Sequence, residues 1–155
     1  MVGLEFVTSF ESTRAELVLD RLSKADKSEL LESLAVLGES QTKRRIADEK
    51  TSPDGEAWPD WAESTKANRH NGQSLLFAEG DLHGSIAAGD PSGNEIAWGS
   101  NLEYAAVHNF GHTFDDGFGK GIEITIPQRQ YLGLSADNER EMEMVALGFF
   151  REALQ

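Results

Sequence analysis

The chain has 155 residues, 39% of them hydrophobic and 26% charged, with a formal net charge of −13. A chain of this length buries roughly 68–70% of its unfolded surface, so it needs no disulfide or metal to hold a core. The complete lack of cysteine excludes disulfide frameworks, thiolate catalysis and cysteine-based zinc sites, and the acidic balance argues against wrapping nucleic acid, which requires Lys and Arg to displace counterions.

The opening stretch VGLEFV reads as extended, and nothing near it has the basic-then-apolar form of a secretory signal. No segment approaches the roughly 18 apolar residues that span a bilayer, so the expectation is a protein made and folded in a cytoplasm. Ala15, Val18 and Leu22 recur at helical spacing. A second, longer helix starts at Asp26, with Glu29 in capping-box register, carries Leu30, Leu34 and Leu37 on one stripe, and ends before Pro53. Gly38 in its middle predicts a bend. Its basic run, Lys43-Arg44-Arg45, goes against the overall charge and is a candidate for meeting an acidic neighbour.

Residues 52–74 are rich in turn formers, with a short helix expected after Asp60. LLFAEGDLHGSIAAG leads into a strand near Ser85, and a turn at DPSGN connects it to EIAWGS, together a hairpin. LEYAAVHNF reads as a short helix, with Leu102, Ala105 and Ala106 on one face and Asn101 as its cap. GHTFDDGFGKG is flexible by composition. IEITI alternates Ile122, Ile124 and Ile126 with polar residues, the pattern of a half-buried strand that Pro127 stops. A last helix opens at Ser135 with acids in its first turn and buries Met142, Val145 and Phe149. The sum is one α+β domain over 1–155: a helical part (1–51), a loop and small, mainly antiparallel sheet part (52–134), and a C-terminal helix (135–155) packed on the sheet.

Few residues carry catalytic logic. His108 and His112 are four apart, as two zinc ligands on one helix face would be, but Gly111 lies between them, the glutamate of H-E-x-x-H is missing, and His70 and His83 stand alone. No G-x-S-x-G elbow occurs, GFGKG lacks the spacing and ending of a phosphate loop, and Asp115-Asp116-Gly117 does not fit a calcium loop. The reading is therefore no catalytic, cofactor or metal site, with a small metal-dependent hydrolase using His108 and His112 as the alternative from another class. Trp58, Trp61, Tyr104, Phe110 and Phe114 are large apolar groups, several in loop-like contexts. They either pin loops to the body or wait for a neighbouring subunit, where aromatic anchors dominate interface energetics.

Four segments occur in a telling order: TSPDGEAWPDWAESTKA, LLFAEGDLHGSI, GSNLEYAAVHNFG and IPQRQYLGLSADNEREM. Together they resemble the phage virion morphogenesis family, the tail completion proteins of contractile-tailed phages, over roughly residues 40 to 140. The first supplies Asp54, Gly55 and Trp58 of a D-G-x-x-W pattern. The second supplies Leu76, Gly80, Leu82, Ser85 and Ile86. The third carries Gly99, Ser100, Tyr104, Ala105, His108 and Gly111, and the fourth Pro127, Arg129, Tyr131, Leu132 and Gly133. His83 stands where an Arg is usual, Gln130-Tyr131 replaces Pro-Phe, and His112 replaces a small residue, so the resemblance gives His83 and His112 no role.

The resemblance implies a structural, non-enzymatic virion protein at the head–tail junction, in the tail or neck, assembled in the host bacterial cytoplasm. It would complete the head-proximal end of the tail and support joining to the head; a tail terminator or neck adaptor role is the alternative. A homo-oligomeric hexameric ring is implied, with tail tube or terminator and head–neck connector proteins as partners. Genomic DNA would pass through an acidic lumen without specific binding, and no membrane or cofactor is involved. Trp58, Trp61, Phe114, Phe118, Lys43, Arg44 and Arg45 are the interface candidates. His108 is expected to fix the turn at Gly111 through its ring nitrogens, and Arg129 to fork onto a carboxylate.

Overall fold

The computed structural model describes residues 13–115 and 121–155. Helix α1 (Thr13–Lys24) is followed by α2 (Lys27–Arg44), whose N-cap Asp26 accepts a hydrogen bond from the Ser28 amide at 2.9 Å. Asp26 is the predicted cap residue, but its side chain meets the Ser28 amide instead of closing a box with Glu29. A single π-helical turn, Arg45–Glu49, extends α2, and Lys50 closes it in left-handed conformation (φ 56°), ahead of Pro53. Short helices α3 (Glu63–Asn68) and α4 (Asp81–Ser85) then flank the loops, and α5 (Ala105–Phe110) and α6 (Ala136–Ala153) follow later in the chain.

The strands form two separate antiparallel ribbons instead of one sheet. Strands β1 (Ala87–Ala88) and β2 (Trp98–Gly99) make the expected hairpin, and β3 (His112–Asp115) pairs with β4 (Glu123–Ile126). The run that composition marks as flexible thus begins as a strand: Thr113 and Phe114, both strand formers, find Thr125 and Ile124 opposite. Phe118 lies outside the described residues.

The class is α+β, as expected, but the C-terminal helix packs along α2 and touches α1. Gln41 donates to the Asn138 carbonyl (3.1 Å) and to Glu141 (2.7 Å), and Arg44 also reaches Glu141 (3.2 Å). Ser135 caps α6 in a capping box with Asn138. Met142 and Phe149 are half-buried, whereas Val145 is exposed.

The buried stripe of α2 starts at Leu30 and continues through Ala35, Gly38, Gln41, Thr42, Arg45 and Ile46. Gly38 admits the Trp98 ring of β2, which a Cβ there would meet at 2.6 Å. The Trp98 indole then donates to the Thr42 hydroxyl at 2.9 Å. Around Ile46 the core gathers Trp58, Leu82, Ile86, Ala105 and Tyr131, with Phe77, Trp98 and Leu132 packed against it.

Candidate functional site

The four sequence segments meet around one extended strip, Pro127–Gly133, which hydrogen-bonds mainly with side chains from the rest of the fold. The first segment is a chain reversal. Gly55, at φ +89°, sits in a turn closed by its amide to the Ser52 carbonyl (2.9 Å), while Asp54 accepts from the Ser52 hydroxyl. The reversal brings the Trp58 amide back to the Lys50 carbonyl (3.0 Å) and sends its indole inward, donating to the Gln130 carbonyl at 3.0 Å.

Segments two and three are tied by a hydroxyl pair. Gly80, at φ +90°, precedes α4, which buries Leu82 and delivers Ile86 to the core. Ser85 donates to the Leu82 carbonyl or shares a proton with the Ser100 hydroxyl, both at 2.7 Å. Ser100 in turn accepts from the Leu102 amide at 3.1 Å, so it, and not Asn101, organises the approach to α5. That turn delays the helix start to Ala105, leaving Leu102 half-buried and Ala106 exposed.

From α5 three groups reach the strip. The buried Asn109 carbonyl oxygen accepts from both the Tyr131 amide (3.1 Å) and the Leu132 amide (3.0 Å). The Tyr131 hydroxyl donates to the Ala105 carbonyl at 2.8 Å. The Arg129 amide donates to the His108 carbonyl at 2.8 Å. Gly111 then ends the helix at φ +73°, where a Cβ would sit 2.8 Å from the Gln128 nitrogen. The close approach requires glycine.

His108 serves by its backbone instead of its ring: the imidazole lies edge-on to Tyr104 (5.8 Å between centroids), and its buried Nδ1 has no hydrogen-bond partner. Burial, helped by the Arg129 guanidinium, holds its pKa below the ordinary value. His112, on β3, stacks on Phe114 instead. Among the described residues, no group of three or more His, Cys, Asp or Glu is arranged to hold a metal ion.

Two arginines are buried to the same end. Arg129 donates to the Pro59 and Asp60 carbonyls, both at 2.8 Å, so its fork grips the backbone and not a carboxylate. Arg45 is 1% exposed and donates to the carbonyls of Tyr131 (3.0 Å) and Gly133 (2.8 Å) and to the Asn138 side chain (2.6 Å). Desolvation lowers the pKa of both, yet guanidinium stays charged at any ordinary pH. Burial likewise pushes the Tyr131 phenol up to about 12.

The interface candidates divide accordingly. Arg45 and Trp58 are interior residues of their own chain, because the strip presents carbonyls that only long donors reach. Lys43 pairs with Glu39 (2.6 Å), and Arg44 with Glu49 (2.9 Å) and Glu141, so the acidic neighbours of the basic run lie in the same chain. Trp61 is half-buried under the Arg69 guanidinium, 4.4 Å from its ring, beside a cavity of about 500 Å³ that Tyr104, His108 and Arg129 also line. Phe114 is exposed on β3. Sequence reasoning missed Gln41, Asn109 and Asn138, whose one legible signal is polar residues in register with an apolar stripe.

Fold and site define a small α+β domain whose buried polar groups bind its own backbone together. The chain belongs to the phage virion morphogenesis family, whose model matches residues 10–150. It is thus a protein of phage virion morphogenesis. No curated protein and no solved structure matches the chain. Among the described residues no helix is long and apolar enough to cross a membrane.

Proposed function

We propose that the protein is a structural component of the phage head–tail junction, without enzymatic activity. It completes the head-proximal end of the tail and supports joining to the head, as a hexameric ring of identical copies. The family match over residues 10–150 carries this reading. The site supports it through its buried arginines, which are engaged with the chain's own backbone. Both buried arginines hold carbonyls, and the His108 ring lacks the carboxylate that would orient a general base. The hydrolase alternative receives no support from His112, which faces Phe114.

A net charge of −13 suits a ring around a DNA conduit, because an acidic lumen repels the phosphate backbone and lets the genome slide. The test is a stop codon in this gene of the parent phage, followed by negative-stain electron microscopy of the lysate. Filled heads beside separate tails of normal length are expected. Tails of uncontrolled length would assign a terminator role instead, and intact infectious virions would overturn the proposal.

A further inference from the structure

We propose that Asn71 is a site of spontaneous deamidation in the folded protein, its side-chain amide giving way to aspartate and iso-aspartate through a cyclic imide closed by the Gly72 nitrogen. The inference goes beyond the ring reading above and does not depend on it.

The chemistry begins in the sequence. Imide closure needs the backbone nitrogen of the next residue to reach the asparagine Cγ, and a Cβ on that next residue stands in the way. Asn68, Asn94, Asn101, Asn109 and Asn138 are followed by Arg69, Glu95, Leu102, Phe110 and Glu139, whereas Asn71 is followed by glycine.

The fold leaves this pair free to react. Residues 70–73 form a turn closed by the Gln73 amide on the His70 carbonyl at 3.3 Å, with Asn71 and Gly72 both exposed at its centre. Gly72 stands at φ +94° and Asn71 at negative φ, the pattern of a type II turn. The ends of the turn are held, since the His70 amide donates to the Gln73 side chain (3.0 Å) and the Gln73 side chain donates to Glu79 (3.0 Å). Among the described residues nothing hydrogen-bonds the Asn71 side chain, the Asn71 carbonyl or the Gly72 amide. The central peptide plane therefore rotates without losing a bond, and that rotation carries the Gly72 nitrogen toward Cγ.

Comparable positions elsewhere are closed. In the Asp54-Gly55 turn the Gly55 nitrogen is held by the Ser52 carbonyl at 2.9 Å. Hydrogen bonds from the Ser52 hydroxyl first and the Glu56 amide second hold the Asp54 pKa below the usual carboxylate range, and an ionised carboxylate is a poor electrophile. Asn109 and Asn138 are buried with their side-chain oxygens engaged, and the Asn68 side chain donates to the Ser64 carbonyl at 2.9 Å.

In the reaction the Gly72 nitrogen gives up its proton to solvent and bonds to the Asn71 Cγ, the Cγ–Nδ2 bond breaks, and ammonia leaves with a proton returned from solvent. Water then opens the imide. Cleavage of the Cγ–N bond gives aspartate; cleavage of the backbone C–N bond gives iso-aspartate, which adds a carbon to the main chain of the turn. Either product adds a negative charge to a chain already at −13.

The test holds the purified chain in mildly alkaline and mildly acidic buffers and locates mass changes by digestion and fragment mass spectrometry. In the alkaline arm the fragment containing Asn71 should become one mass unit heavier, divide into aspartate and iso-aspartate forms, and release an equal amount of ammonia. The acidic arm should lag, because hydroxide drives the closure. Gly72→Ala should slow the change about tenfold. Asn71→Gln, which leaves the main chain of the turn as it is, should abolish it. A urea-unfolded sample gives the rate of the bare sequence. Conversion of that sample while the folded chain stays intact would mean that the turn protects Asn71, and would overturn the proposal. So would earlier conversion of Asn94 or Asn101, or an unchanged mass gain in the Asn71→Gln chain.

Discussion

Asn109 shows how much one buried side chain can hold. Its single oxygen satisfies two consecutive backbone amides, Tyr131 and Leu132, in a strip that has no strand partner there. An orphaned buried donor costs more than a typical hydrogen bond is worth. Asn109→Ala should therefore destabilise the fold by about 3 kcal/mol, read as a lower urea midpoint with an unchanged slope; a loss within error of zero would mean that water replaces the amide.

His108 makes a second prediction at this scale. Its folded-state pKa is held below the ordinary 6.5 by burial first and by Arg129 second. The unfolded chain therefore takes up the proton more readily, and stability from this group is complete above about pH 6.5. It is lost as pH falls through the folded-state value. Urea midpoints should drop between neutral and mildly acidic pH, and His108→Gln should flatten part of that slope. His83, shifted the same way by its own burial, accounts for slope that remains. An identical slope in the variant would dismiss His108 as its source.

Among the elements, α2 departs most from propensity rules. In an exposed helix interior Gly→Ala stabilises by roughly 1 kcal/mol. At Gly38 the new methyl would lie 2.6–2.8 Å from three carbons of the Trp98 ring, itself anchored by its bond to Thr42. Overpacking of this kind costs about 1–3 kcal/mol and outweighs the propensity gain. Gly38→Ala should therefore lower the melting temperature, and a raised one would show that β2 can retreat without loss. The same packing ties the β1–β2 hairpin to α2, with Glu39 accepting from the Ala88 amide at 2.8 Å. Hydrogen bonding from Lys43 first, and from that amide second, holds the Glu39 pKa below the usual carboxylate range.

For the whole molecule, net charge bears directly on the proposed ring. A net charge of −13 opposes the approach of a second copy, and salt screens that repulsion over a Debye length of roughly 10 Å at about 0.1 M. Self-association through an apolar contact should strengthen as salt rises, measured by sedimentation equilibrium. Weakening with salt would instead identify an interface made of ion pairs, and the exposed Arg140 and Lys24 would become the residues to examine.

Local chemistry was legible in the sequence. The Asp26 and Ser135 caps, the glycine turn at Gly55, the β1–β2 hairpin and the helix stop at Gly111 each depend on residues a few positions apart. The four motifs, read together, identified the family on the same footing. Burial was not legible, because it depends on what stands opposite. Arg45 looks like part of a surface basic run until Tyr131, 86 residues away, presents a carbonyl to it. Ile122 and Ile124 look like core, yet both stay largely exposed. Period and capping act along the chain and are written in it. Whether a given face meets protein or water is decided only when distant segments pack, and here that decision turned one residue of a supposed basic contact patch, Arg45, into an interior pin of the fold.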